Sequence, residues 1–295
     1  MMPLVSAVIT THNRKDLLFR AVASAESQTY PNMEIIVVDD KSTDGTKELM
    51  EQYAASSSVR YIYNADGGGG NKARNTGILA AHGEYVAFLD DDDEWMPEKT
   101  AKQIELVEKK PDIGVVSCAK IFEYDLTRRK NQNLDELMEG DLHQRVFERI
   151  PLTTSCMMVR RDLLMDVGMF DENLRYWQEY ELTIRLCQRT EIGCVKEHLI
   201  LFRLNSMDKH RLTNKLDGWE EAVAYIDRKH GALLETLPAE LRHAHEILIA
   251  RDGSIRCENC GDKKRMRQYL KRLAELDPTW KNKLKYILNR RMLRR

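Results

Sequence analysis

Four aspartates stand in a row at Asp90-Asp91-Asp92-Asp93, directly after the apolar run Tyr85-Val-Ala-Phe-Leu89. Like charges at this spacing repel, and their pKa values rise unless a cation neutralises them. Mg²⁺ and Mn²⁺ prefer oxygen ligands and commonly take one or two carboxylates together with substrate phosphates. Such a cation stabilises a departing diphosphate as a Lewis acid. The competing account is a solvated acidic turn, but the place at a buried strand's carboxyl end favours a site. Asp39-Asp40 follows a second apolar run, Glu34-Ile-Ile-Val-Val38. An acid there can accept a hydrogen bond from a base N–H or a ribose hydroxyl, or simply cap the next helix.

Three further constellations carry weaker signals. Gly67-Gly-Gly-Gly70, with Lys72 and Arg74 behind it, can bring backbone amides and cations to a phosphate. Gly68 to Ala73 also satisfies the G-x-G-x-x-A fingerprint of dinucleotide-binding proteins, so an NAD-dependent oxidoreductase is a rival reading. Against it, Asn64-Ala-Asp66 separates strand from glycines, and four acids stand where one is wanted. No G-K-[ST] occurs, which argues against a P-loop ATPase. Glu179 and Glu181 lie two apart and cannot share a helix face, so one can enter a cleft while the other is solvated. A carboxylate beside a donor can deprotonate an acceptor hydroxyl. Cys257-x-x-Cys260 is a lone pair, short of the four ligands zinc wants, and His243 and His245 are not at standard spacing. The stripe Trp219, Val223, Tyr225 and Ile226 reads as helix core, and His210-Arg211 as either a diphosphate contact or a solvated pair.

The elements that position these groups alternate. Strands are expected at Leu4–Thr10, Glu34–Val38, Val59–Tyr63, Glu84–Leu89 and Ile113–Ser117. Helices are expected at Asp16–Gln28, after Ser42-Thr-Asp-Gly45, at Lys72–Ala81, and from Pro97 at N1 to Glu108. This predicts an α/β fold with an open, mostly parallel sheet and helices on both faces. Thr10-Thr11, Asp39-Asp40 and Asp90–Asp93 then line one edge. Residues 125 to 150 read as a polar, irregular, mobile loop; Thr153–Val159 reads as a strand, and Arg161–Val167 and Gln178–Gln188 as helices. Beyond about residue 215 the pattern is helical and charged, giving a domain over 1–215 and a helical extension over 216–295.

The net charge is -1, but residues 262–295 hold thirteen Lys/Arg against three acids, a net of +10, leaving -11 elsewhere. Apolar residues such as Tyr269, Leu270, Leu273, Trp280, Leu284, Ile287 and Leu288 are interleaved with those charges. The tail can lie on an anionic membrane surface, or pack as a hairpin with a solvated cationic face. No nucleic-acid module is present. No run approaches the roughly 20 apolar residues of a membrane span, and no charged n-region precedes Leu4–Ile9. The expectation is a cytoplasmic chain, peripheral at the inner membrane face, with six reduced cysteines.

Taken together these residues resemble family 2 glycosyltransferases of the GT-A fold. Val5-Ser-Ala-Val-Ile-Thr-Thr-His-Asn-Arg14 is similar to the family's first strand and nucleotide loop. Gln28-Thr-Tyr with Glu34-Ile-Ile-Val-Val-Asp-Asp-Lys-Ser-Thr-Asp44 resembles its second signature. Ala73-Arg-Asn-Thr-Gly-Ile78 and Gly83-Glu-Tyr-Val-Ala-Phe-Leu-Asp-Asp-Asp-Asp-Glu-Trp95 resemble its D-x-D region, and the match thins through Val167-Gly-Met-Phe-Asp-Glu172 to Leu182.

The resemblance implies an inverting transfer of one sugar from a nucleotide diphosphate sugar, UDP-linked, to a glycan or lipid-linked glycan acceptor in surface polysaccharide synthesis. It implies that Thr10 and Asp40 hold the base with Asp39 close by. Thr11 and Asn13 lie in the same nucleotide loop, and Lys72 and Arg74 near the nucleotide. Asp90 and Asp92 form the D-x-D pair for Mn²⁺ or Mg²⁺, with Asp91 near the ribose, and Glu179 aligns with the catalytic base. The family more often has Asp at that place, and Glu extends the carboxylate by about one C–C bond. A catalytically inactive nucleotide-sugar-binding scaffold is the second rival. The family's processive Gln-x-x-Arg-Trp signature is absent. Its late His is replaced near Phe202-Arg-Leu-Asn205, with His210 as the candidate substitute.

Overall fold

A computed structural model describes residues 2–124, 128–204 and 216–292, without the side chains of residue 280 and residues 288–292. The His210-Arg211 pair lies outside the described residues. The chain divides into two compact units, one built from Met1–His143, Pro151–Leu174 and Gln178–Met207, the other from Gln144–Ile150, Arg175–Trp177 and Asp208–Arg295.

The first unit is an α/β structure built on one mixed, mostly parallel sheet. Its strands are β1 (Val5–Thr11), β2 (Met33–Asp39), β3 (Val59–Tyr63), β4 (Tyr85–Asp90), β5 (Glu94–Trp95), β6 (Ile113–Tyr124), β7 (Arg128–Asn131), β8 (Met158–Arg160) and β9 (Glu191–Leu204). Its helices are α1 (Lys15–Glu26), α2 (Thr46–Ala54), α3 (Gly70–Ala80), α4 (Lys99–Lys109), α5 (Arg161–Asp166) and α6 (Gln178–Cys187). The sheet order is β3-β2-β1-β4-β8-β6-β9-β5, with β7 paired to β6. β1 to β4, β6 and β9 run one way, six of the nine; β5, β7 and β8 are antiparallel to their neighbours.

Alternation along β1 sets the layers. Val5, Ala7 and Ile9 point to a core completed by Leu18, Ala21 and Val22 of α1, Met50 of α2 and Ile104 of α4. Val8 points the other way and meets α3, where a Cβ on Gly77 would come within 2.3 Å of the valine Cγ1. Only glycine allows that approach, so α3 rides low on its face of the sheet. β1 and β4 are buried over nearly their whole length because both faces are covered.

Several sequence expectations are corrected here. Residues 125–150 are not simply a loop: β6 runs on to Tyr124, β7 pairs back along it, and Met138 and Leu142 are buried in the first unit. Isolated apolar residues in a polar stretch leave no period to detect. β9 escaped the reading because Lys196-Glu-His198 interrupts its apolar run. Pro97 lies two residues ahead of α4, not at its first position. Thr153–Val159 is mostly a 3₁₀ turn at Thr154–Cys156 that leads into the short β8.

The second unit consists of α7 (Asp217–Lys229), α8 (Gly231–Thr236), α9 (Ala239–Cys260), α10 (Lys263–Leu276) and α11 (Trp280–Met292), with a 3₁₀ turn at Arg145–Phe147. Trp219 is its central side chain, edge-on to Trp177 at 5.3 Å and under the Arg256 guanidinium at 5.2 Å. The stripe read as helix core is largely that: Trp219, Val223 and Ile226 are buried, with Tyr225 half-buried. α10 lies along α9 so closely that a Cβ on Gly253 would come within 2.5 Å of Tyr269 Cε1. Among the described residues no helix is long and apolar enough to cross a membrane.

Candidate active site

The parallel register aligns the strand ends. Thr10 is level with Val38 and Asp90, Thr11 with Asp39, and Asp39 with Tyr63. The polar groups after β1, β2 and β4 therefore gather at one edge of the sheet. Thr10 is buried there with 9% exposure.

The four aspartates divide by alternation. Asp91 and Asp93 point inward, with 5% and 2% exposure, whereas the side chains of Asp90 and Asp92 are 30% and 27% exposed. The turn closes where the Asp93 N–H donates to the Asp90 carbonyl at 3.1 Å. Asp91 accepts from the Thr11 hydroxyl at 2.7 Å and from Arg14 at 3.0 Å. Burial, helped by neighbouring Asp92, pushes its carboxyl up to about 6 despite Arg14 and Thr11. Asp93 accepts from the Ser155 hydroxyl at 2.6 Å and the Arg203 N–H at 3.1 Å; burial and the charges of Asp92 and Asp90 push it well above the carboxylate range. Arg14 lies 3.3 Å from Asp92, and the largely buried Arg74 donates to Asp90 at 2.8 Å. Charge repulsion in the cluster is thus answered by arginines and buried hydrogen bonds.

The Asp39-Asp40 pair splits too. Asp39 is fully buried and accepts from the Ser42 N–H at 2.8 Å and the Tyr61 hydroxyl at 2.7 Å, which is the turn role. Burial and that carboxylate push the Tyr61 phenol up. Asp40 is half-buried and accepts from the Gly69 N–H at 2.8 Å. This takes one amide of the glycine loop out of play for a phosphate. Lys72 lays its aliphatic chain across Gly68, leaving no room for a Cβ there. Both observations weigh against a dinucleotide loop. Asn13, with φ 53, stitches the loop after β1 to the loop after β2: its N–H donates to Ser42 Oγ at 2.8 Å and its Oδ1 accepts from the Thr43 N–H at 2.7 Å.

Glu179 is half-buried in the first turn of α6. Glu181 is not solvated: it is fully buried and paired with Arg185 at 2.7 Å, and Arg185 also donates to the carbonyls of Val167 and Met169. The segment before α6 is pinned to α3 by residues the sequence reading missed. Asn75 exchanges hydrogen bonds of 2.9 Å with the Phe170 N–H and carbonyl, and Asn71 donates to the carbonyls of Asp171 and Leu174. The i,i+4 spacing of two asparagines on one helix face was the available signal. α3 thereby links the Asp90 partner, Arg74, to the chain that enters α6.

In the second unit Cys257 is buried, and burial pushes its thiol up to about 12. Gly261, with φ 76, closes α9 behind it. No group of three or more His, Cys, Asp or Glu set to hold a metal occurs among the described residues. In the basic tail Leu270 and Leu273 of α10 are buried, while Leu284 and Ile287 of α11 are 43% and 46% exposed. Packed and exposed apolar residues are therefore both present, on successive helices.

The family described as "Glycosyl transferase family 2" matches residues 6–168. TuaG of Bacillus subtilis, a glycosyltransferase named for teichuronic acid biosynthesis, is 36% identical over 223 residues, 72% of this chain and 85% of that protein. WfaP of Escherichia coli, a UDP-Glc:alpha-D-GlcNAc-diphosphoundecaprenol beta-1,3-glucosyltransferase, is 43% identical over 107 residues, 36% of this chain and 42% of that one. Among solved structures, S. aureus TarS in complex with UDP superposes with a TM-score of 0.68 at 19% identity, covering 92% of this chain and 80% of that chain, a likeness of fold.

Proposed function

This chain belongs to glycosyl transferase family 2, and on that footing we propose that it transfers one sugar, with inversion, from a UDP-sugar to a glycan or lipid-linked glycan acceptor. The observation that carries the reading is the alternation at Asp90–Asp93. Two partly exposed carboxylates two residues apart stand over two buried, anchored ones. That donor set fits Mg²⁺ or Mn²⁺, which take few carboxylates and leave positions for phosphate oxygens. Asp90 and Asp92 would hold the ion, which when bound supplies Lewis-acid stabilisation of the diphosphate leaving group.

The remaining roles belong to the chain itself. Thr10, Thr11, Asp40 and the Asn13 loop form the nucleotide side, with Asp39 bracing the turn beneath. Lys72 and Arg74 contribute positive charge near the diphosphate. Glu179 accepts the acceptor hydroxyl's proton as that oxygen attacks the anomeric carbon and the nucleoside diphosphate leaves from the opposite face. The UDP and lipid-linked assignments draw support from the specificity for which WfaP is named, and the polysaccharide setting from the name of TuaG. The exposed Leu284 and Ile287 among α11 lysines fit contact with an anionic membrane surface where such acceptors reside.

Release of nucleoside diphosphate from a panel of nucleotide sugars tests the proposal, run with Mn²⁺, with EDTA, and with Asp92→Ala. Turnover of one donor that both EDTA and the substitution abolish is expected. Turnover that survives EDTA refutes the metal assignment. Metal-dependent donor binding without turnover, with acceptor supplied, favours an inactive scaffold.

A further inference from the structure

Ser155 lies 62 residues beyond Asp93 in sequence, in the 3₁₀ turn ahead of β8, yet it touches both ends of the aspartate turn. Its hydroxyl donates to Asp93 Oδ2 at 2.6 Å and accepts from the Asp90 N–H at 3.2 Å. It is buried, with 1% exposure, so neither bond has water as a ready substitute. Its own position is fixed independently. The Ser155 carbonyl accepts from Trp95 Nε1 at 2.9 Å, and the next carbonyl, of Cys156, accepts from Gln103 Nε2 at 2.9 Å.

The aspartate turn needs such a brace. Its backbone closes through the hydrogen bond from the Asp93 N–H to the Asp90 carbonyl. Asp90 and Asp92 carry like charge and are drawn outward by Arg74 and Arg14, so the turn beneath them has to hold their spacing. Ser155 clamps the turn a second time, from the Asp90 backbone to the Asp93 side chain. We infer that Ser155 is a positioning residue that sets the spacing of Asp90 and Asp92, and so the affinity of this edge for a divalent cation. The inference rests on the metal reading above. Ser155 itself offers no ligand to the ion, since both faces of its hydroxyl are engaged within the protein.

The test is Mn²⁺ binding, read from the free-ion EPR signal with UDP present, for the unaltered chain, Ser155→Ala and Ser155→Thr, alongside thermal melting of each. Ser155→Ala is expected to weaken Mn²⁺ binding about tenfold, and Ser155→Thr, which keeps the hydroxyl, to return it to within about threefold. A Ser155→Ala protein that melts earlier yet binds Mn²⁺ within twofold of the unaltered chain overturns the inference, because a merely structural serine moves only the melting point. Failure of the unaltered chain to bind Mn²⁺ overturns the metal reading and this inference with it. Should Ser155→Ala not fold, Ser155→Cys, of similar volume and weaker donor strength, takes its place with the same expected loss.

Discussion

Replacing Glu179 and Glu181 by glutamine, one at a time, exchanges one oxygen for nitrogen at positions two residues apart, and the two outcomes should be opposite. Glu181 is fully buried, and its oxygens take three contacts of 2.7 to 3.1 Å from Arg185. Glutamine removes the charge and turns an amide N–H toward a guanidinium N–H. Hydrogen bonds to charged groups contribute about 1.5–3 kcal/mol each, and stranding one partner of a buried pair costs about 3–5 kcal/mol. Arg185 is 17% exposed and regains some hydration, so the lower end applies, about 3 kcal/mol. For a unit of this size that lowers the melting temperature by roughly 6–12 °C. Glu179 is half-buried, and its amide should lower the melting temperature far less than Glu181→Gln does. As a general base, however, it should take about 10²- to 10⁴-fold off kcat when replaced. The assay pairs melting curves with initial rates well below the transition. A Glu179→Gln enzyme that keeps more than a tenth of its activity refutes the base assignment. If Glu181→Gln is silent in melting while abolishing turnover, the two roles are exchanged and the reasoning fails.

Other perturbations follow from the same geometry. Asn75→Ala strands the N–H and carbonyl of Phe170 in the interior; it should destabilise the first unit by about 2–4 kcal/mol in urea unfolding, and a loss under 1 kcal/mol would show the segment is held elsewhere. Lys99 is fully buried with its ammonium 3.9 Å from the Trp95 ring centre, and burial pushes its pKa down from 10.5 to about 8. Its folded-state pKa lies below the unfolded one, so its contribution is complete above pH 10.5 and is lost as pH falls through 8. Lys99→Met should therefore stabilise the protein at pH 7 by about 2 kcal/mol, after allowance for the ring contact, and hardly at pH 10.5; equal gains at both pH values would contradict this. Removing residues 277–295, which takes away α11, should abolish flotation on anionic liposomes, and equal flotation of the full and shortened chains would sink the membrane contact.

Much of the first unit is written in local pattern. The apolar runs at β1, β2 and β4 are continuous because each is covered on both faces, and each ends in acids or hydroxyls, so the edge they form can be read residue by residue. What escapes is whatever depends on distant partners. Four consecutive aspartates look equivalent along the chain, and only the fold separates Asp91 and Asp93 from Asp90 and Asp92. Glu181 looks like an exposed helix carboxylate until Arg185 and the carbonyls of Val167 and Met169 close around it. Ser155 carries no motif at all, since its meaning lies in the Asp90–Asp93 turn. β9 is lost for another reason: its charged stretch at Lys196-Glu-His198 is an ordinary surface feature that breaks the apolar count.

Arg14 reaches Asp91 at 3.0 Å and Asp92 at 3.3 Å. The edge therefore carries a tethered counter-ion, present at an effective concentration that dissolved monovalent salt cannot match. On the metal reading proposed above, a cation arriving at Asp92 would enter by exchange, and its apparent affinity would be the difference between two attractions. Sodium and potassium offer no more charge than the guanidinium they would displace, whereas a doubly charged ion does. Valence selectivity would then follow before any question of ion size arises. The displaced guanidinium, still anchored on the loop after β1, would then be available to whatever negative group had arrived with the ion.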